Sequence, residues 1–518
     1  MKNSRVIERV REIGEKAAKW LVLCIFAVCI FILFWQSMVS TAVIDRKEHI
    51  SFVDDSVLFN IIFLGLFLAA GIFFKLRKKN IFPIPDKRIL NIITIVYILM
   101  MFVLVLTLQI VPTADQGSVL ECAGNLLEGN FEKWRLGGYL YNYPNQNGIV
   151  LVFSLFCAVF GDAAGLVIQV FNIWALVICA YYCSKTIKVL FDSEKLGAYS
   201  YIFLLGFLGI NCYVTFVYGT IFGMTAAAVG IYHIIGYTKN RKIYRGIIGV
   251  LLVGISFLFK ENYLIFIVAA MLLLLCDALF QKKWKSLILF IGGILFCIIV
   301  NISITLTIES ITQTEVSQGV PSKAWVAMGL QDGTRAPGWY NGYNVSVYIN
   351  NQYDYEKASE VIDADIKERL KYFKNNKSDA LDFFSKKIES QWNEGTFQGF
   401  WILETRKKGA EWPELLHEII YVGNTLNSIV VDICDFLLSF LWLGVVLFIL
   451  SGWKELDVYK LIYAIVFIGG FIFHLFWEAK GQYTVVYVYF MIPYMVRGYQ
   501  MFFTKVTNAI EKKNQKEK

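Results

Sequence analysis

Apolar runs long enough to cross a bilayer recur along this chain, and they constrain its fold more than any motif does. A spanning helix needs about 20 apolar residues, and backbone polar groups in lipid must be satisfied within the segment, so such runs predict helices. They fall near 20–38, 57–75, 89–111, 163–183, 197–213, 217–236, 246–259, 263–280, 286–306, 426–450, 459–476 and 484–503. A further run, 148–160, is too short for a full span. It reads as a re-entrant or interfacial helix, unless one of its neighbours fails to cross. The expectation is an all-α polytopic membrane protein with about 12 transmembrane helices.

Composition agrees, with 57% hydrophobic residues, 16% aromatic residues and a mean hydropathy of +0.55. The 49 basic residues outnumber the 41 acidic ones. In a membrane protein that excess reports orientation and contact with anionic membrane lipids rather than nucleic acid. No cleavable signal peptide stands out, because the first apolar run is long enough to span. Of the ten cysteines, nine fall in or beside apolar runs and act as small hydrophobes; only Cys122 is expected in an aqueous loop. No CxxC spacing points to a metal.

Charge bias sets the expected topology. Residues 1–88 hold a basic amphipathic helix and two spans, separated by a short outer loop at about 39–55. The basic stretches KLRKKNIFPIPDKR, YTKNRKIYR and QKKWK are expected to be cytoplasmic, as are both termini. Residues 89–306 then form a transmembrane core whose first outer loop spans 112–147. Residues 307–422 form a mostly helical extracytoplasmic domain, 423–503 hold the last spans, and 504–518 form a basic tail.

With that topology three polar islands share the outer face: Asp115 to Gln146, Lys260-Glu261-Asn262, and Glu478-Ala479-Lys480. Each alone fits a solvated turn. Together, beside long apolar runs where charge is costly, they argue for a site. Asp115 lies just past the end of a span and is the first choice for a general base, with Glu478 second. Lys260 and Lys480 suit an anionic headgroup as point charges. Trp325, Trp339, Tyr340 and Tyr343 are able to stack on sugar rings, and equally able to form an interfacial belt or a domain core. His474 lies within a turn of the same face, Asp432 and Asp435 interrupt an apolar run, and Asn142 and Asn172 read as helix-end or inter-helix hydrogen bonders. Asn344-Val345-Ser346 matches the N-glycosylation pattern. No P-loop, GxGxxG, HExxH or GxSxG occurs in a credible context.

A span, an acid a few residues on, and an aromatic loop ending in Tyr-Pro resemble the GT-C superfamily of polytopic glycosyltransferases. Within it the chain is similar to bacterial relatives of protein O-mannosyltransferases and aminoarabinose transferases (family 39-like). The matching stretches are PTADQ with Asp115, YNYPNQNG with Tyr143 and Gln146, LFKENYLIF with Lys260, AWVAMGL with Trp325, ESQWNEGTF with Trp392, and FHLFWEAKGQY with Glu478 and Tyr483. They cover roughly 89–500, which leaves the first two spans as an addition. The resemblance implies a GT-C-like bundle and an inverting transferase that uses a polyprenyl-phosphate-linked sugar donor on the outer leaflet. A cell-envelope glycan, lipid or protein would be the acceptor, and Asp115 the catalytic carboxylate. Lys260, Lys480, Tyr143 and Gln146 would meet the donor phosphate, and Trp325, Tyr343, Asn344 and Tyr483 the sugar or acceptor. No cofactor is certain. Relatives often carry Asp-Glu where Gln116 follows Asp115 here, so a divalent metal stays open. The alternatives are a polysaccharide polymerase or a lipid-linked oligosaccharide flippase. A polymerase would be expected to use outer arginines, of which there are few: Arg335, Arg369 and Arg406.

Overall fold

The computed structural model describes residues 2–77, 84–405 and 412–516. Residues 78–83 of the basic loop, Arg406 and the last two residues of the tail lie outside them. Among the described residues, nine helical stretches are long and apolar enough to cross a membrane, and ten if the bent pair Glu194–Leu205 and Leu208–Thr215 counts as one span. Two segments expected to cross do so less simply. Residues near 246–259 form the short helix Ile243–Leu258, and 484–503 is split into Gly481–Tyr489 and Ile492–Lys516.

The short run at 148–160 has a clear outcome. It forms the helix Asn147–Phe160, which ends at Gly161 with φ +51°, and a new helix, Ala164–Phe191, follows. In one straight helix Phe156 and Phe171 would lie about 22 Å apart. Their rings meet at 5.4 Å, so the chain folds back at Gly161. At 14 residues the first arm is about 21 Å long, short of a hydrocarbon core of about 30 Å.

Not everything is helical. The loop expected at about 39–55 is an antiparallel β-hairpin, β1 (Ser40–Ile44) and β2 (Ile50–Asp54), with Ser40 opposite Asp54 and Ile44 opposite Ile50. β-Branched residues at Thr41, Val43, Ile44, Ile50 and Val53 favour the pleated backbone. The first span is no addition to the core. Phe26 sits edge-on to Phe467 and Tyr494 at 5.9 and 6.2 Å, among the final spans.

One end of the bundle is tied by ions. Asp277 is fully buried and takes a bidentate contact from Arg241 at 2.5 and 3.0 Å, with Ser286 and Tyr459 hydroxyls on the same carboxylate. The other end carries a cap built from the helices Lys323–Gly329, Tyr343–Asn350, Tyr355–Asn375 and Lys377–Trp392. Val320, Ala324, Ala327, Val347, Ala358 and Ile362 form its own small core. Lys377–Trp392 anchors it, because Trp392 packs against Phe467, Phe471 and Tyr487 of the spans at 5.3–6.2 Å.

Candidate active site

Between the cap and the bundle lies a cavity of about 750 Å³. Five helices end at it, three by their C-termini and two by their N-termini. Asp115 follows Lys87–Leu108, Tyr218 precedes Thr220–Asn240, and Lys260 precedes Leu264–Gln281. Asn301 and Thr305 lie near the end of Trp284–Thr312, and Glu478 follows Ile462–Phe476. All three polar islands therefore line one space. Nine of the ten candidate residues border it: Asp115, Tyr143, Gln146, Lys260, Trp325, Asn344, Glu478, Lys480 and Tyr483. The tenth, Tyr343, does not. Its hydroxyl donates to Asp365 at 2.5 Å inside the cap, which fits its alternative role in domain packing.

The loop expected around Asp115 is mostly helix. Asp115 stands in the first turn of Ala114–Glu128, whose negative side chain suits a helix N-terminus. Ala114 has φ +51°, a conformation costly for a residue with a Cβ, and that turn leaves the Asp115 carboxylate exposed to the cavity. The nearest donor is the Tyr139 hydroxyl, at 3.5 Å. Gln116 is buried, and its Oε1 accepts the Val217 N–H at 2.7 Å, which fixes the chain next to Tyr218. Cys122 is buried in the same helix rather than in an aqueous loop, and all ten cysteines are free.

Lys260 is the least compensated cation here. Among the described residues it makes no hydrogen bond or ion pair. Its ammonium lies over the Tyr483 ring at 4.6 Å and the Tyr218 ring at 5.8 Å. Burial and the neighbouring Lys480 lower its pKa to about 8, against the pull of Glu478 and Asp115. Lys480 goes the other way. Burial alone would lower it, but Glu478, Glu48 and Asp115 together raise it.

Glu478 is buried, accepts the Tyr483 hydroxyl at 3.2 Å and lies 3.8 Å from Lys480. Burial raises its pKa. The extended segment that carries it is held on both sides, with a single β-bridge between Ala479 and Trp339. Ala479 N–H donates to Gly338 O at 2.8 Å, and Gly329 lies so close to Phe476 and Trp477 that an added Cβ would sit 2.3 Å from a carbonyl oxygen. Trp325 and Trp477 stack beside it, 3° from parallel with centroids 5.8 Å apart.

Other candidates resolve differently. Trp339 is core, its indole N–H on Ser390 Oγ at 2.8 Å, whereas Tyr340 lines the cavity. His474 is fully buried behind the site, stacked on Tyr483 at 5.8 Å, with neither ring nitrogen hydrogen-bonded among the described residues. Asn172 bonds the carbonyls of Val214 and Phe216, and Asp435 accepts the Gly395 N–H at 2.8 Å. Asn344 is only 2% exposed, which places the glycosylation pattern out of reach.

Two contributors, Glu48 and Lys387, carried no expectation as site residues, and a third, Arg335, entered only as one of the few outer arginines. Glu48, at the hairpin turn, is 3% exposed and pairs with Arg335 and Lys480. Arg335 also lies under Tyr340. Lys387 is buried and donates to the carbonyls of Gly329 and Trp477, joining the cap to the Glu478 segment. Lys387 left a trace in the sequence, since it continues the apolar stripe Ala380, Phe383, Phe384 of its helix. Glu48, in a short polar turn, left none. Among the described residues, no group of three or more His, Cys, Asp or Glu side chains is placed to hold a metal ion, and Gln116 is already engaged.

No curated protein and no solved structure matches the chain. A family model does match, over residues 15–496, and its range takes in the first span and the hairpin. The protein belongs to the family described as conserved hypothetical integral membrane protein.

Proposed function

We propose that the protein is a membrane glycosyltransferase. It would move a sugar from a polyprenyl-phosphate donor to a cell-envelope glycan, lipid or protein. One observation carries this: a cavity at one end of the bundle holds both an open carboxylate, Asp115, and a cation, Lys260, without an ion-pair partner among the described residues. The basic residues around Arg241 and Lys282–Lys285 sit at the opposite ends of the helices that reach the cavity. Positive charge on the cytoplasmic side then puts the cavity and its cap on the extracytoplasmic face.

In this mechanism Asp115 accepts the proton of the acceptor hydroxyl as that oxygen attacks the anomeric carbon. The bond from the anomeric carbon to the phosphate oxygen breaks, and its electron pair leaves with the lipid phosphate. Lys260 holds the departing anion as a point charge. A single displacement inverts the anomeric centre. Glu478, already engaged by Tyr483 and Lys480, is left to position the wall. No step is assigned to a metal.

The test is sugar transfer by the purified full-length chain from a panel of polyprenyl-phosphate sugars, with an envelope extract as acceptor. Asp115→Asn is expected to lower the rate by about 10²–10⁴ while leaving thermal stability unchanged. A variant as active as the wild type, or a wild type that consumes no donor, refutes the assignment.

A further inference from the structure

The hairpin of the first 88 residues reaches into the cavity wall, and its reason for doing so is electrostatic. Three cations line the cavity among the described residues: Lys260, Lys480 and Arg335. One residue answers two of them, and Lys480 also lies 3.8 Å from Glu478. Glu48 Oε2 pairs with Arg335, and Glu48 Oε1 lies 3.5 Å from Lys480. Gln398 Nε2 donates to the same Oε1 at 3.1 Å, while Gln398 Oε1 accepts the Gln482 N–H at 3.1 Å. The carboxylate is thus fixed from three directions.

Backbone strain accompanies this placement. Glu48 has φ +65°, and Phe397 and Gln398 have φ +51° and +61°. None is glycine, and each such conformation costs about 1–3 kcal/mol. Ile50 N–H donates to Arg335 O at 3.1 Å, so the hairpin and the arginine also share a backbone contact. A hairpin that needed only to be fastened to the cap has that contact, together with Ala42 N–H on Asn393 O at 3.1 Å. It does not need a buried carboxylate between two cavity cations.

We propose that Glu48 is a specificity-determining residue, a built-in counter-anion that occupies Arg335 and Lys480 and leaves Lys260 as the cation for the ligand. This rests on the lipid-phosphate donor reading. One free cation matches the single negative charge of a phosphodiester-linked lipid. A diphosphate brings at least one more charge, and desolvating it without a partner is costly. Glu48 therefore selects against diphosphate lipids by denying them a second cation.

The experiment measures binding of a farnesyl-phosphate-linked hexose and a farnesyl-diphosphate-linked hexose, with one and two negative charges, to the full-length chain in zwitterionic nanodiscs. Wild type should prefer the monophosphate. Glu48→Gln frees Arg335, leaves Lys480 with Glu478 alone, and should move the affinity ratio toward the diphosphate by at least tenfold. The double variant Glu48→Gln/Arg335→Gln removes the ion pair as a unit, which protects folding. It removes one of the two counter-anions of Lys480, which keeps Glu478, so its ratio should fall between the other two, and it carries the test if the single variant does not fold. An unchanged ratio, or parallel weakening of both lipids, overturns the proposal and makes Glu48 a fastener of the hairpin. A wild type that binds neither lipid overturns the donor reading itself, and the two failures are told apart by that control.

Discussion

Replacing Lys387 with methionine should change how stability depends on pH. Burial lowers the Lys387 pKa to about 7 in the folded protein, opposed by Glu478, from 10.5 in an exposed chain. Between those values the unfolded chain holds a proton that the folded protein has released, so wild-type stability rises with pH across that window. Integrating from pH 7 to about 9.5 gives a gain of about 3 kcal/mol from this one group. Methionine keeps the length of the side chain but cannot titrate. It also leaves the buried Gly329 and Trp477 carbonyls without their donor, at about 1–3 kcal/mol each. Near pH 7 that loss is offset by removal of a poorly solvated charge. At pH 9.5 it is not offset, because the wild-type amine is then neutral and still bonded. Unfolding in detergent, followed by tryptophan fluorescence at both pH values, should show the variant's deficit widening by about 3 kcal/mol. Parallel pH curves for the two proteins would refute the placement of Lys387 as a buried, proton-releasing amine.

Lys260 titrates at about 8, so donor affinity should fall as pH rises through that value, and Lys260→Arg should keep it into more alkaline solution; KM for donor against pH checks this. Asp277→Asn breaks a buried pair and should cost about 3–5 kcal/mol, whereas Asp277→Leu with Arg241→Met should cost much less, as denaturant titration would measure. Asn344 should carry no glycan even in a host that glycosylates Asn-X-Ser, which intact-mass measurement would show.

The membrane class and the meeting of the three islands were legible because both follow from long-range bookkeeping of apolar length and charge sign. Span count was less legible. Hydropathy does not see the break at Phe490–Met491 that splits 484–503, nor that Ile243–Leu258 is too short to qualify. That 148–160 is too short to span was readable from its length, yet the turn that folds it back depends on the backbone of Gly161. Aromatic residues were the hardest to sort. Tyr343 and Tyr340 sit three residues apart in one Gly-rich stretch, and only packing decides that one bonds Asp365 while the other faces the cavity. Glu48 was invisible because its partners Arg335 and Lys480 lie far along the chain.

That separation has a consequence for biogenesis. Gln398 bonds Glu48 across 350 positions of sequence, and Ser439 bonds the Ser37 carbonyl across 402. Such distant closures are slow to form, and synthesis delivers the hairpin long before its partners. Until Arg335 is made, the nascent chain carries an acidic tip without its partners, and Gln398 and Lys480 follow later still. A chain that ends before residue 480 lacks Lys480, Gln482 and Tyr483, and with them one wall of the cavity. That wall is complete only once the last segments of the chain are in place.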